Sequence, residues 1–305
     1  MPKTSIILTC YKQERFIEET ILSVINQSFK NRELLIWDDS PDNNCRKIIS
    51  KYIKKYPGKI HAWHHNPNKW IVNNMLFLIE QRSKASEYIA FLEWDDCLFP
   101  EYLEKKLEIF EKYLNVQLVY NELTTINDES KTLEERELKR CRWIFCKKWK
   151  ISYEKLISEI HYMSRSTLMI KAETLNKYKI YSENLWYKTI LSDVYFFNQV
   201  AHNEDIYWIE EPLVYYRIHE DSITKNIHGT IIYHLEFIKY LKFLFNSWLI
   251  KSNFYKNQIC RCYLLITIAS MKKSFSIWLS KTLRVFFEEC TKSLKYRLKK
   301  LFQQK

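Results

Sequence analysis

"YIAFLEWDDCLFPEYL", residues 88–103, is the stretch on which the reading of this chain turns. The run Tyr88–Leu92 is apolar enough for a strand covered on both faces, and it ends by delivering Glu93, Asp95 and Asp96 in quick succession. Pro100 then opens a helical pattern over Glu101–Leu114. Carboxylates this close repel one another unless something positive is shared among them. The plain alternative is that Asp95 or Asp96 only helps to start the coming helix, where acids and proline are favoured.

Working outward, further strand-like runs lie at Ser5–Thr9, Glu33–Trp37, Lys59–Trp63 and Val116–Tyr120, with helix-like stretches at Glu14–Gln27, Arg46–Tyr56 and Ile71–Gln81. This alternation predicts β-α-β units, hence an α/β fold with a mostly parallel sheet flanked by helices. Open sheets of that kind bind ligands outside the carboxyl ends of their strands. Those ends are Thr9-Cys10-Tyr11, Asp38-Asp39-Ser40 and Glu93-Trp94-Asp95-Asp96, so two strands bring acid pairs to one rim. Beyond Tyr120 the pattern loosens through Asn121–Glu159. It resumes with a strand-like Thr167–Lys171, a helix-like Asp193–His202 and two short runs, Ile206–Ile209 and Leu213–Arg217. From about Ile231 only helical signals remain.

The 305 residues are 47% hydrophobic and 16% aromatic, a globular rather than a disordered composition. No window reaches about 18 uninterrupted apolar residues, and the run after Met1-Pro2-Lys3 is too short for a signal peptide, so a cytoplasmic protein without membrane spans is expected. Eight cysteines scattered through the chain read as reduced thiols. Cys141 with Cys146 and Cys260 with Cys262 lack the two-residue spacing of a zinc knuckle. The charge is lopsided: residues 230–305 carry 15 Lys and Arg against 3 Asp and Glu, while residues 1–229 carry 33 of each.

Taken together, "SIILTCYKQERFIEETILSVINQSFKNRELLIWDDSPDN" (residues 5–43) and "YIAFLEWDDCLFPEYL" resemble the inverting glycosyltransferases grouped as family 2, which have the GT-A fold. The resemblance covers residues 4 to about 222. It implies a GT-A catalytic domain over 1–229, with a nucleotide-sugar half (1–120) and an acceptor half (121–229), followed by a basic helical extension over 230–305. By the same resemblance Thr9, Tyr11, Glu14 and Asp39 hold the nucleobase and ribose. The aromatic can stack on a base, and the carboxylate can accept a uracil-type N–H. The family's Asp-x-Asp element maps onto Glu93-Trp94-Asp95, with Glu in place of the commoner Asp. Asp95 is then the leading ligand for Mn2+ or Mg2+, Asp96 its neighbour in the metal set, and Glu93 a ribose contact. Asn66 and Asn74 fall where the family has an Asn-rich loop and helix start, with Lys69 a substitute positive charge; helix capping is the alternative for Asn73 and Asn74.

"LSDVYFFNQVAH" (residues 191–202) resembles the segment that carries the family's general base, which makes Asp193 the candidate to take the acceptor's proton. Its alternative is an acid in a first helical turn, which would lower its pKa. "LVYYRIHEDSIT" (residues 213–224) resembles the Tyr-Arg-x-His-x-x-Ser segment that closes over the diphosphate. His219 is thereby a metal or phosphate ligand and Arg217 a counter-charge to the substrate. His64, His65 and His161 lie in no such motif.

The implied reaction moves a sugar from a nucleoside diphosphate donor, UDP first, to a surface glycan or lipid-linked acceptor in polysaccharide, capsule or lipopolysaccharide synthesis. A nucleotidyltransferase on the same kind of sheet is one alternative, and a non-catalytic membrane-bound adaptor is another. In residues 279–305, Leu279, Leu283, Phe287, Leu294 and Leu298 follow helical spacing with lysines and arginines on other faces. That pattern predicts peripheral binding to an anionic membrane surface, or else a surface helix packed on the catalytic domain. No nucleic-acid module accompanies the charge.

Overall fold

The computed structural model describes residues 3–64, 71–133, 152–159, 164–178, 192–220 and 227–272. Asn66, Lys69 and the basic segment 279–305 lie outside these residues, as do His65 and His161. The chain folds as two units, Met1–Ile218 and His219–Lys305.

The first unit opens with β1 (Lys3–Cys10), α1 (Ile17–Ile25), β2 (Arg32–Asp38), α2 (Asn44–Lys55), β3 (Ile60–His64), α3 (Ile71–Gln81) and β4 (Ser86–Glu93). It continues through β5 (Cys97–Leu98), α4 (Tyr102–Lys112), β6 (Val116–Ile126), α5 (Tyr153–Glu159), β7 (Leu168–Lys171), α6 (Ala172–Tyr178), α7 (Ser192–Asn203) and β8 (Asp205–Arg217). The strands form one sheet in the order β3-β2-β1-β4-β7-β6-β8-β5. β1 to β4 run parallel; β7 is antiparallel to both of its neighbours, β6 and β8 are parallel, and β5 is antiparallel to β8. This is the mixed, mostly parallel sheet that the alternating runs predict.

Alternation of side chains along each strand splits the core into two layers. Ile6 and Leu8, Leu34 and Ile36, and Ala90 and Leu92 face one layer, which α1, α2 and α4 cover with Ile17, Ile21, Ile49, Leu103 and Phe110. Ile7, Leu35, Ile89 and Phe91 face the other, which α3, α6 and α7 cover with Leu78, Leu175, Phe197 and Val200. Both faces are apolar, and so the strands read as continuous hydrophobic runs.

Two polar features sit inside this frame. At the amino ends of the strands, Ser5 Oγ donates to Glu33 Oε1 at 2.6 Å, and the backbone N–H of Ser83 donates to the same oxygen at 2.8 Å. Ser5 Oγ and Ser86 Oγ are 2.8 Å apart, which closes a clasp across β2, β1 and β4. In the middle, fully buried Lys106 of α4 donates to the carbonyls of Val119 (3.1 Å) and Thr167 (2.6 Å) and lies over the Tyr102 ring. Burial drives its pKa well below the ordinary lysine value.

The second unit contains α8 (Ile227–Asn246) and α9 (Ser252–Lys272), packed as a helical hairpin with Phe245 stacked on Tyr255. Among the described residues, no helix is long and apolar enough to cross a membrane.

Candidate active site

The carboxyl ends of β2, β1 and β4 lie side by side, and strand register decides which of their side chains meet. Trp37, Thr9 and Glu93 form one row across the three strands, pointing to the α3 face like Leu35, Ile7 and Phe91 two residues earlier. Asp39 joins that face. It accepts from Trp37 Nε1 at 2.6 Å and from Asn74 Nδ2 at 2.5 Å, Asn74 being in the first turns of α3. The next residue, Met75, has its sulfur 3.4 Å from Nη1 of Arg165, and Arg165 is ion-paired with Glu93 at 2.5 Å. The structure thus brings Thr9, Asp39, Asn74 and Glu93 together and adds Arg165, which the sequence reading missed. Arg165 sits past the loosely patterned region, in no motif, and no sequence signal singles it out.

Tyr11 and Glu14 lie in the exposed β1–α1 loop of the same rim. That loop is held by Lys12, whose backbone N–H donates to Ser40 Oγ at 2.9 Å and whose φ is +54°, a left-handed conformation unusual for a side chain of that size. Tyr11 is 38% exposed and presents its ring to solvent, with the Lys12 ammonium over it.

The turn after β4 is pinned at every residue. The N–H of Glu93 donates to Ser166 Oγ (3.0 Å), the carbonyl of Trp94 accepts from Thr20 Oγ1 (2.9 Å), and the carbonyl of Asp95 accepts from Arg217 Nε (2.9 Å). Asp96 is completely buried and accepts from Ser166 Oγ (2.6 Å), Ser164 Oγ (3.3 Å) and the N–H of Arg217 (3.0 Å). Burial, and then the charge of Asp95, hold its carboxyl well above the usual range. Asp95 itself is half-buried. Of the two acids named for the metal, then, Asp96 faces protein and Asp95 retains access.

Arg217, named from sequence as a substrate contact, is 1% exposed and surrounded by protein acceptors. Besides the Asp95 carbonyl it serves the Asn127 carbonyl (2.9 Å), Ser130 Oγ (2.9 Å) and Glu19 (2.6 Å), and its guanidinium lies over the Phe16 ring. A fork of five donors suits such a hub, and it fixes the backbone that presents Asp95. Asp193 is the second residue of α7, in its first turn. His219 is the first residue of the second unit and is 3% exposed.

The opposite face of the same rim is different in kind. Asp38 turns toward α2, where it meets Cys10, Cys45 and His64. The two sulfurs lie within 4.8 Å of one another.

Comparison with known proteins agrees with this architecture. The profile of Glycosyl transferase family 2 matches residues 5–178, more than half of the chain. The chain belongs to glycosyl transferase family 2. It is 32% identical over 118 residues to the putative glycosyltransferase EpsE of Bacillus subtilis, a match covering 39% of this chain and 42% of that one. An uncharacterized glycosyltransferase of Methanocaldococcus jannaschii is 27% identical over 228 residues, 71% of each chain. The chain thus spans under half of the EpsE relative. Among solved structures, Staphylococcus aureus TarS residues 1–349 in complex with UDP superposes with a TM-score of 0.55 at 16% identity, covering 87% of this chain and 83% of that one. A mannosyltransferase of Pyrobaculum calidifontis in complex with GDP-Man and Mn2+ gives 0.59 at 9% identity, covering 93% and 79%. These structural likenesses establish a shared GT-A-type fold.

Proposed function

We propose that this family 2 member transfers a sugar, with inversion, from a nucleoside diphosphate donor to a glycan or lipid-linked acceptor. The observation that carries the proposal is the assembly of Thr9, Asp39, Asn74, Glu93 and Arg165 on one face of the rim, with half-buried Asp95 two residues after Glu93. Each group has a role suited to its chemistry. Tyr11 stacks on the base, and Asp39 accepts a base N–H. Asp39 is prepared for this by Trp37 and Asn74, which fix its carboxylate. Glu93 and Thr9 are placed for ribose hydroxyls, and Arg165 for diphosphate charge. UDP is favoured as the nucleotide because a carboxylate complements the uracil imide, and the TarS complex with UDP shares the fold.

The neighbouring carboxylates of Glu93, Asp95 and Asp96, which repel one another, fit a hard divalent cation. We assign Mn2+ or Mg2+ to Asp95, with Asp96 and Arg217 bracing the turn behind it. Held there, such a cation would supply charge neutralisation to the departing diphosphate. Asp193 removes the acceptor's proton. The lysine-rich segment 279–305 draws the enzyme to anionic lipid, which would bring it to a lipid-linked acceptor.

The test is incubation with UDP-sugars and Mn2+ and identification of the product. Free UDP released together with a glycosylated acceptor is the expected result; pyrophosphate would show nucleotidyl transfer instead, and no nucleotide binding by calorimetry would leave a non-catalytic protein. Asp193→Asn should bind UDP with unchanged affinity and lose turnover by about 10²- to 10⁴-fold. Turnover near the wild-type level would assign the proton to another group.

A further inference from the structure

The layer between the sheet and α2 is apolar until its last row. Leu8 on β1, Ile36 on β2 and Ala62 on β3 are in register, and two residues further along the same face the row becomes Cys10, Asp38 and His64. Parallel register places these three side chains on one side of the sheet, at adjacent strand ends about 4.8 Å apart. Cys45, the second residue of α2, comes down on them from the covering helix. The Sγ of Cys10, the Sγ of Cys45 and a carboxylate oxygen of Asp38 all lie within 4.8 Å of one another, and His64 Nδ1 is 3.1 Å from Asp38 Oδ2. Cys10, Asp38 and Cys45 are 0–2% exposed, while the His64 side chain is 22% exposed.

We propose that Cys10, Asp38, Cys45 and His64 form a closed site for one zinc ion, separate from the catalytic cation. Two thiolates, an imidazole and a carboxylate are a borderline-soft donor set, unlike the oxygens at Asp95. Tetrahedral zinc holds sulfur at about 2.3 Å and nitrogen or oxygen at about 2.0–2.2 Å, which sets ligand atoms roughly 3.3–3.8 Å apart. The ligand atoms of Cys10, Asp38 and Cys45, within 4.8 Å of one another, close by up to about 1–1.5 Å to hold the ion, and His64, already against Asp38, turns its ring onto it. Four protein ligands leave no open position, so the ion is structural rather than catalytic. It ties the ends of three strands to the first turn of α2. It also fixes the residues that adjoin the donor rim: Tyr11 follows Cys10, and Asp39 follows Asp38. The spacing of 10, 38, 45 and 64 matches no zinc ribbon, because the sheet and not a local loop assembles the ligands.

Metal analysis of the full chain, desalted in EDTA after growth with zinc, decides the matter. Near-stoichiometric zinc that survives treatment removing Mn2+ is expected. Equilibration with Co2+ should give a thiolate-to-cobalt charge-transfer band in the near ultraviolet, lost in Cys45→Ser and retained in Asp95→Ala. Since Cys45 is part of the core, His64→Ala at the more exposed ligand is the second variant; it should stay folded by circular dichroism and weaken zinc binding by at least about tenfold. Metal-free protein without cobalt bands would overturn the site. So would a Cys10–Cys45 disulfide found by peptide mass spectrometry, or zinc content unchanged in both variants. The proposal stands apart from the transfer reaction, since it can hold whether or not a sugar is moved.

Discussion

The acid pairs after β2 and β4 look alike in sequence and are built in opposite ways. After β2 both carboxylates are buried and each has a different face to serve: Asp39 meets Trp37 and Asn74 on the α3 side, and Asp38 meets Cys10, Cys45 and His64 on the α2 side. After β4 the division is by depth. Asp96 is sunk among hydroxyls and the N–H of Arg217, and Asp95 stays half-buried. The lesson is that a doubled acid at a strand end need not be one site. Adjacent residues on an extended chain point to opposite faces, so a pair can brace with one member and bind with the other.

The strongest way to break that comparison is at Arg217. Its truncation to alanine leaves Glu19, the Asn127 carbonyl, Ser130 and the Asp95 turn without their donor, and stability should fall by about 3–5 kcal/mol in chemical denaturation. Arg217→Lys should recover little of this, because an ammonium cannot reproduce the fork. If Arg217→Ala instead folds with normal stability and loses only donor affinity, the guanidinium belongs to the substrate and the bracing role is wrong.

Separating the two acids of β4 comes next. Asp95→Asn should reduce kcat/KM by about 10²- to 10³-fold, some 3–4 kcal/mol, with an unchanged melting temperature and with Mn2+ no longer raising the rate. Asp96→Asn should do the reverse, weakening the fold by about 1–3 kcal/mol while the surviving folded enzyme keeps its response to Mn2+. Exchange of the two phenotypes would mean that the binding carboxylate is the deeper one.

The smallest effect concerns Lys106, away from both rims. Its folded-state pKa lies well below the ordinary value because of burial, whereas in the unfolded chain it titrates near about 10.4. Between those two values the unfolded state binds more protons, so stability rises with pH. Lys106→Met lacks this contribution. The stability difference, wild type minus variant, should therefore increase as pH is raised through the alkaline window just below about 10.4, and a difference independent of pH would show that Lys106 is charged at no penalty.

The sheet was legible wherever strands are covered on both sides. β1, β2 and β4 follow their apolar runs within a few residues, because burial on two faces leaves no polar position to confuse the pattern. Legibility failed toward the β5 edge. β6 continues to Ile126 through Asn121, Glu122 and Thr124, and β8 runs unbroken over Asp205–Arg217 although Glu210-Glu211-Pro212 splits its apolar pattern into two. Irregular register between β6 and β8 absorbs those polar residues. At the site, the family resemblance named Thr9, Asp39, Asn74, Glu93 and Asp95, but residue type alone could not say which acid faces protein. Arg217 illustrates the limit: its motif signalled importance, and only the folded structure shows four acceptors of this chain around it. The Cys10–Asp38–Cys45–His64 group was invisible for a related reason, since its members are far apart in sequence and are joined by register across three strands.

The clasp of Ser5, Glu33, Ser83 and Ser86 lies at the end of the sheet away from all of this chemistry. Strand alignment is thus locked from below, leaving the upper loops free to be rewritten. Lineages carrying this scaffold can drift toward new donors by changing residues such as Tyr11 or Arg165 without reopening the question of how the strands line up.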